Sequence, residues 1–255
     1  MLSVVLPLLL PDQFTISLTQ FCIAAMRTNA DQDYELVVVE TGTKHFESCL
    51  NHPDPLQRID KYLHRPERST YVLDWNAGAE LASNEILVHM GNDVIVGDRW
   101  CHALLEPFFR YNDCGVTCTA AAEPGAFIGP RQIADGYIVE GMFAPMMAFG
   151  KQWRLDPAYE GGYSDSDLIM RIYDSGKRSY RSCSSRCFHM DRITWERAYS
   201  DRGEAQIARG QRTFYERWGK SPLMMFAMIR AGAVVYGREH EFLNASVPPR
   251  PGYGP

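Results

Sequence analysis

A short apolar run, Ile86-Leu87-Val88-His89-Met90, stops at Gly91-Asn92-Asp93, and a second, Val94-Ile95-Val96, follows at once. The first run is brief and β-rich enough to be a buried strand of a parallel sheet. Gly91 and Asn92 then turn the chain and leave Asp93 at the carboxyl end of that strand, the edge where open α/β sheets bind ligands. A carboxylate there can hold a divalent cation, which can in turn hold a diphosphate. An exposed residue that only finishes a strand turn is the plain alternative. Asp165 and Asp167 form a second acidic pair, in Gly162-Tyr163-Ser164-Asp165-Ser166-Asp167, just ahead of the helical run Leu168-Ile169-Met170-Arg171-Ile172-Tyr173. At a helix start the dipole favours their ionised form, and capping is the simplest use for either.

A third constellation is sulfur. Cys114/Cys118 and Cys183/Cys187 form two spaced pairs with His189 close by, a pattern that raises a zinc site. If Cys183 and Cys187 share one strand, four steps place their Cα atoms ~13 Å apart, too far for one tetrahedral metal. Only a turn at Ser184-Ser185 would bring them together, and buried thiols are the expectation.

The elements that must position these residues alternate along the chain. Leu2 to Leu10 reads as a first strand, and Pro11-Asp12 opens a helix with Phe14, Leu18, Cys22 and Ala25 on its apolar stripe. Glu35 to Glu40 is a second buried strand, ended by Thr41-Gly42-Thr43. Asp74 to Ser83 reads as a helix, and Asp98 caps another that runs to Phe108 around Pro107. Gly115 to Ala120 is a further strand. This alternation implies an α/β domain, a mostly parallel sheet with helices on both faces. Beyond it, Glu123 to Gly136 reads as loop, Tyr137 to Phe149 as one strand, Tyr180 to His189 as extended, and Asp201 to Trp218 as helix. Pro222 to Tyr236 is an apolar, Met-rich helix within an extension over 221–246, and the Pro-rich tail 247–255 is expected to be disordered.

With 255 residues, 45% hydrophobic and 22% charged, the chain can bury a substantial core, and its net charge of −5 gives no broad footprint for nucleic acid. Met1 to Leu10 lacks a basic n-region and a small-x-small cleavage site, and no run nears the ~18 apolar residues of a membrane span. A cytoplasmic protein with reduced thiols is the expectation.

Six segments, in this order, resemble the large family 2 of inverting glycosyltransferases, which have the A-type, Rossmann-like fold. They are Ser3-Val4-Val5-Leu6-Pro7, Val38-Val39-Glu40-Thr41-Gly42-Thr43, Asn76-Ala77-Gly78 with Ala82, Met90-Gly91-Asn92-Asp93-Val94, Gly162 to Leu168, and Phe214-Tyr215-Glu216-Arg217-Trp218-Gly219. The match covers roughly residues 2 to 220, and implies a nucleotide-binding half over 1–120 and an acceptor half over 121–220. Two positions depart from the family pattern: Gly91 stands for the first Asp of Asp-x-Asp, and Ser164 for the acid that commonly precedes the base.

The resemblance implies a nucleoside-diphosphate sugar donor, UDP by family habit, a hydroxyl-bearing acceptor, and Mn²⁺ or Mg²⁺. It places Pro7, Glu40, Asn92 and Asp93 at the donor, with Glu40 accepting from a base N–H. It makes Asp93 the metal ligand, with His189 completing the site, and Asp165 the base, with Asp167 ranked second. Asp74 and Asn76 suit ribose or sugar hydroxyls, although either end of Asp74-Trp75-Asn76 can also cap the helix. Trp153 can stack on a sugar face or pack in the core. A non-catalytic sugar- or nucleotide-binding module of the same fold stays open, encouraged by Gly91. A nucleotidyltransferase ranks lower, because Leu8-Leu9-Leu10-Pro11-Asp12 is neither Gly-rich nor basic. A membrane-surface role for Pro222 to Tyr236 ranks low too, with Arg230 its only charge.

Overall fold

The structure, a computed structural model, describes residues 1–67, 69–122, 138–140, 145–160, 162–190, 193–198, 203–221 and 224–225. In chain order its elements are β1 (Leu2–Leu9), α1 (Gln13–Thr28), β2 (Glu35–Thr41), β3 (Lys61–Arg65), α2 (Tyr71–Leu81), β4 (Ile86–Met90), β5 (Val94–Val96) and α3 (Trp100–Arg110). They continue with β6 (Cys114–Ala122), β7 (Ile138–Glu140), β8 (Met146–Gly150), α4 (Ser164–Asp174), β9 (Arg178–His189), α5 (Ile193–Ala198) and α6 (Gly203–Trp218). The apolar runs over 222–236, the Glu123 to Gly136 loop and the 247–255 tail fall outside the described residues, apart from Met224 and Met225.

One mixed sheet runs in the order β3-β2-β1-β4-β8-β6-β9-β5, with β7 against β9. β1 pairs in parallel with β2 and β4, and β2 with β3. β8 runs antiparallel to both β4 and β6, so β6 and its parallel partner β9 point the same way as β1. Both halves of the chain therefore share one sheet. The sequence reads residues 137–149 as one strand. They hold two in different places, because β7 lies on β9 while β8 is inserted between β4 and β6.

Period-2 alternation sends neighbouring residues of each strand to opposite faces. Val5, Val37 and Val116 join Trp75 of α2, Leu168 and Ile169 of α4 and Phe214 of α6 in one core layer. Val4, Leu6 and Val38 join Ile23 of α1 and Leu104 of α3 in the other. Each such aliphatic side chain contributes about 1.5–3 kcal/mol on burial. On α1 the buried stripe is Thr15, Leu18, Thr19, Cys22, Ile23 and Met26, whereas Phe14 is exposed. The sequence puts Phe14 on the apolar face; Asp12 caps the helix through the Thr15 N–H, and the stripe runs one position later.

Two other helix starts differ from expectation. α2 begins at Tyr71, three residues ahead of Asp74, because the Thr70 hydroxyl caps it through the Leu73 N–H. α3 begins at Trp100 after Arg99 in the left-handed region, so Asp98 is not its cap. Gly78 lets α2 lie directly on the sheet, since a Cβ there would sit 2.5 Å from Val5 Cγ1 and 3.0 Å from Val39 Cγ2. Gly78→Ala is expected to lower stability by about 1–3 kcal/mol, read by urea denaturation. An unchanged midpoint would show that α2 can lift off the sheet at no cost.

Cys114, Cys118 and Cys187 are buried thiols of β6 and β9. β9 does bulge between Ser182 and Arg186, where the sequence allows a turn, yet no three metal-ligating side chains converge among the described residues. Among those residues no helix is long and apolar enough to cross a membrane.

Candidate active site

Asp93 lies in the turn between β4 and β5, at the carboxyl edge of the parallel strands. β5 pairs antiparallel with the end of β9, and its first residue, Val94, is registered on the last, His189. That register sets the His189 imidazole beside Asp93, with Nε2 3.5 Å from Oδ1. Thr194 of α5 donates to Oδ2 at 3.1 Å, and the Met190 N–H donates to the Asp93 carbonyl at 3.0 Å. The carboxylate is buried, contrary to the exposed strand end that the sequence suggests. Burial pushes its pKa up, but the hydrogen bond and charge of His189 and the Thr194 hydroxyl outweigh that, and the net shift is downward.

Gly91 makes room for this arrangement. A Cβ there would sit 2.7 Å from Asp93 Oδ1. Gly91 is thus the residue that lets Asp93 face His189. Asn92 turns away: its side-chain amide donates to Thr19 of α1 at 2.9 Å and is buried. Asn92 is buried and one of its amide N–H groups pins the turn to α1, so its side chain packs inside the protein and is not presented at the surface of the site.

The acidic pair before α4 separates into two roles. Asp167 is fully buried, and its oxygens accept from Tyr159 Oη (3.2 Å), Arg171 Nε (2.7 Å), Arg217 Nη1 (2.8 Å) and Trp218 Nε1 (3.1 Å). It ties α4 to α6 and to residue 159, which removes it as a base. Asp165 is half-buried, and the Ser166 N–H (2.8 Å) and hydroxyl (3.3 Å) both donate to Oδ1, with Asp165's own N–H as a further donor to the carboxylate. Among the described residues no donor from another residue reaches Oδ2, which is left to take a proton. Burial raises the carboxyl above the ordinary value, against the lowering by the Ser166 N–H. The helix-dipole expectation of a carboxylate held ionised is therefore reversed: desolvation wins, and the group is a better base.

α4 ends at Asp174 and β9 begins at Arg178, so the amino end of α4 and the carboxyl end of β9 share one edge of the sheet. Asp165, Asp93 and His189 are brought to that edge together. Asp74 lies there too, in the first turn of α2, buried, with Oδ2 accepting from Thr41 Oγ1 at 2.7 Å and Oδ1 3.3 Å from Arg65 Nε. Burial raises its pKa, with the Thr41 and Ser69 hydroxyls and the Arg65 charge pulling the other way.

Other sequence-nominated residues are engaged within the protein. Glu40 is buried, and each carboxylate oxygen accepts twice: Oε1 from Thr43 Oγ1 and the His45 N–H, Oε2 from the Phe46 N–H and Tyr62 Oη. Four acceptor sites meet four donors, so Glu40 shapes the loop after β2 and keeps nothing for a nucleobase. Asn76 holds the backbone of Leu155 through both its groups, at 2.8 and 3.1 Å. Pro7 lies within β1, past Val5 where pairing with β4 ends, so its missing N–H leaves no ladder bond open on that side. Trp153 stands at the opposite edge of the sheet. β8 runs backwards, its last residue Gly150 pairs with Ile86 at the start of β4, and Trp153 packs on the core nearby. It cannot stack on a sugar held at Asp93. Thr194 belongs to the site, although Ile193-Thr194 carries no motif that would reveal it.

No protein-family model and no curated protein matches this sequence. Solved structures do match its fold. GalNAc-T7 with UDP, GalNAc and Mn²⁺ superposes with a TM-score of 0.59 at 14% identity, over 76% of this chain and 43% of that one. The chain has the A-type glycosyltransferase fold. The mannosyltransferase PcManGT from Pyrobaculum calidifontis, in complex with GDP-Man and Mn²⁺, matches with a TM-score of 0.58 at 16% identity, over 92% of this chain and 69% of that one. TarS from S. aureus matches with a TM-score of 0.56 at 10% identity, over 84% and 72%. The chain thus spans less than half the length of the GalNAc-T7 structure.

A metal suited to this glycosyltransferase fold would find one carboxylate and one imidazole, Asp93 and His189, with no third His, Cys, Asp or Glu joining them among the described residues. That donor set fits Mn²⁺ or Mg²⁺, which keep waters and take phosphate oxygens in their remaining positions.

Proposed function

We propose that this protein is an inverting glycosyltransferase that moves a sugar from a nucleoside-diphosphate donor, UDP-linked in the first instance, to an acceptor hydroxyl. The observation that carries the reading is the division of labour at the carboxyl edge. Asp93 faces His189 where a metal and diphosphate would sit, and Asp165 alone of the acidic pair keeps a free oxygen. The glycosyltransferase fold supports the same assignment.

Asp93 and His189 would hold Mn²⁺ or Mg²⁺, which when bound offsets the charge that builds on the departing diphosphate. Asp165 Oδ2 takes the proton from the acceptor hydroxyl as that oxygen bonds to the anomeric carbon. The bond from that carbon to the diphosphate oxygen breaks with its electron pair leaving on the phosphate, and configuration inverts. Asp167, bound by Arg171, Arg217 and Trp218, keeps α4 in place during this step. Glu40 and Asn76 act at one remove, by shaping the loop after β2 and anchoring residue 155. Asp74 remains the carboxyl group at this edge suited to donor hydroxyls. Proton NMR of the product tests the reading: a single product of anomeric configuration opposite to the donor's is expected, and retained configuration would contradict it.

Gly91→Asp gives a sharper check on the metal half. It restores the family's first acid, yet its Cβ would displace Asp93 from His189. Mn²⁺-dependent binding of nucleoside diphosphate is expected to weaken roughly tenfold or more, read by calorimetry. Tighter binding would show that Asp93 needs the missing partner and not the space.

A further inference from the structure

Tyr163, two residues before Asp165, has φ 73°, in the left-handed region that a bulky side chain enters only under strain. Something must hold the turn there. Three residues of α6, each buried and spaced four apart, meet it in sequence. A Cβ at Gly210 would overlap the Gly162 carbonyl oxygen, so the helix backbone lies directly on the turn. The Phe214 ring centroid is 6.1 Å from that of Tyr163, and Trp218 Nε1 donates to Asp167 Oδ1 at 3.1 Å. From the other side, a Cβ at Gly162 would meet Ile207 Cγ1 of α6 at 3.3 Å.

We propose that the Gly210-Phe214-Trp218 stripe is a splint that sets the position of Asp165, with Gly210 as the positioning residue that lets α6 clamp the Gly162-Tyr163 turn. The proposal rests on the assignment of Asp165 as base. Spacing of four puts the three residues on one helix face, and they contact residues 162, 163 and 167, which bracket Asp165. Nothing in helix propensity asks for glycine at 210, where Ala would favour an ordinary helix. If α6 merely packs on the domain, Gly210→Ala lowers stability through its contact with the Gly162 carbonyl but leaves the kcat of the folded protein unchanged.

The test is Gly210→Ala in the full chain, with donor turnover and nucleoside-diphosphate affinity measured separately. A shift of the turn moves the base and leaves the Asp93 site alone. The expected result is a kcat lowered roughly 10- to 100-fold, with nucleotide Kd unchanged within about twofold, since a misplaced base acts only as the proton moves. An unchanged kcat overturns the splint, and so does a parallel loss of kcat and affinity, which would mean general disruption. If Gly210→Ala does not fold, Gly162→Ala decides: its milder contact with Ile207 should lower kcat several-fold at constant Kd, and full activity refutes the proposal. Absence of transfer by the wild type would instead remove the glycosyltransferase reading, and the splint with it.

Discussion

Replacing Asp165 with Asn is expected to lower kcat by about 10²- to 10⁴-fold, the usual contribution of a general base. Nucleotide binding should stay nearly unchanged, because a base contributes only in the transition state. The melting temperature should hold. Burial raises the Asp165 carboxyl above its ordinary value, which means that its ionised form is disfavoured in the folded protein. A neutral amide of the same shape removes that penalty and can still accept from the Ser166 N–H. The same shift predicts the pH dependence in the wild type. The base works only when deprotonated, so kcat should rise with pH through a value above that of an ordinary carboxylate. A limb at or below the ordinary value, or an Asp165→Asn variant of full activity, would assign the proton to another group.

Asp167→Asn should do the opposite: unfold the protein readily. Removing one partner from a buried ion pair costs about 3–5 kcal/mol, because the other charge is left uncompensated. Arg171 and Arg217 are partly exposed, at 28% and 35%, and Arg217 also pairs with Asp156, so the lower end applies. About 3 kcal/mol corresponds to a fall in melting temperature of roughly 6–12 °C for a chain of this size. The variant that folds should retain nucleotide affinity. If Asp167→Asn keeps its melting temperature while losing turnover, the roles of the two carboxylates are exchanged.

Two carboxylates separated by one residue at a helix start look alike in sequence. In a helix they point about 200° apart, and what distinguishes them is α6, whose Arg217 and Trp218 reach Asp167 from fifty residues away. No local pattern carries that information. The strands were easier to read, because β1 and β2 are buried on both faces and show as continuous apolar runs. The position of Asp93 was legible for the same reason: a buried strand followed by Gly-Asn leaves its next residue at the carboxyl edge, although its burial was not. Trp153 misled because β8 is inserted against the direction of its neighbours, which sends the following residues to the far edge. Glu40 misled differently. Its position at the end of β2 is as expected, but the loop that follows folds back and fills both its oxygens.

The most direct measurement is release of nucleoside diphosphate from a panel of UDP- and GDP-sugars by the wild type, with Mn²⁺ and with a chelator. The account predicts release from at least one donor, slow by hydrolysis alone and faster with a hydroxyl acceptor, lost in chelator and in Asp93→Asn. Tight binding of donors without release would contradict it and make the protein a binding module; release indifferent to chelator would contradict the role given to Asp93 and His189.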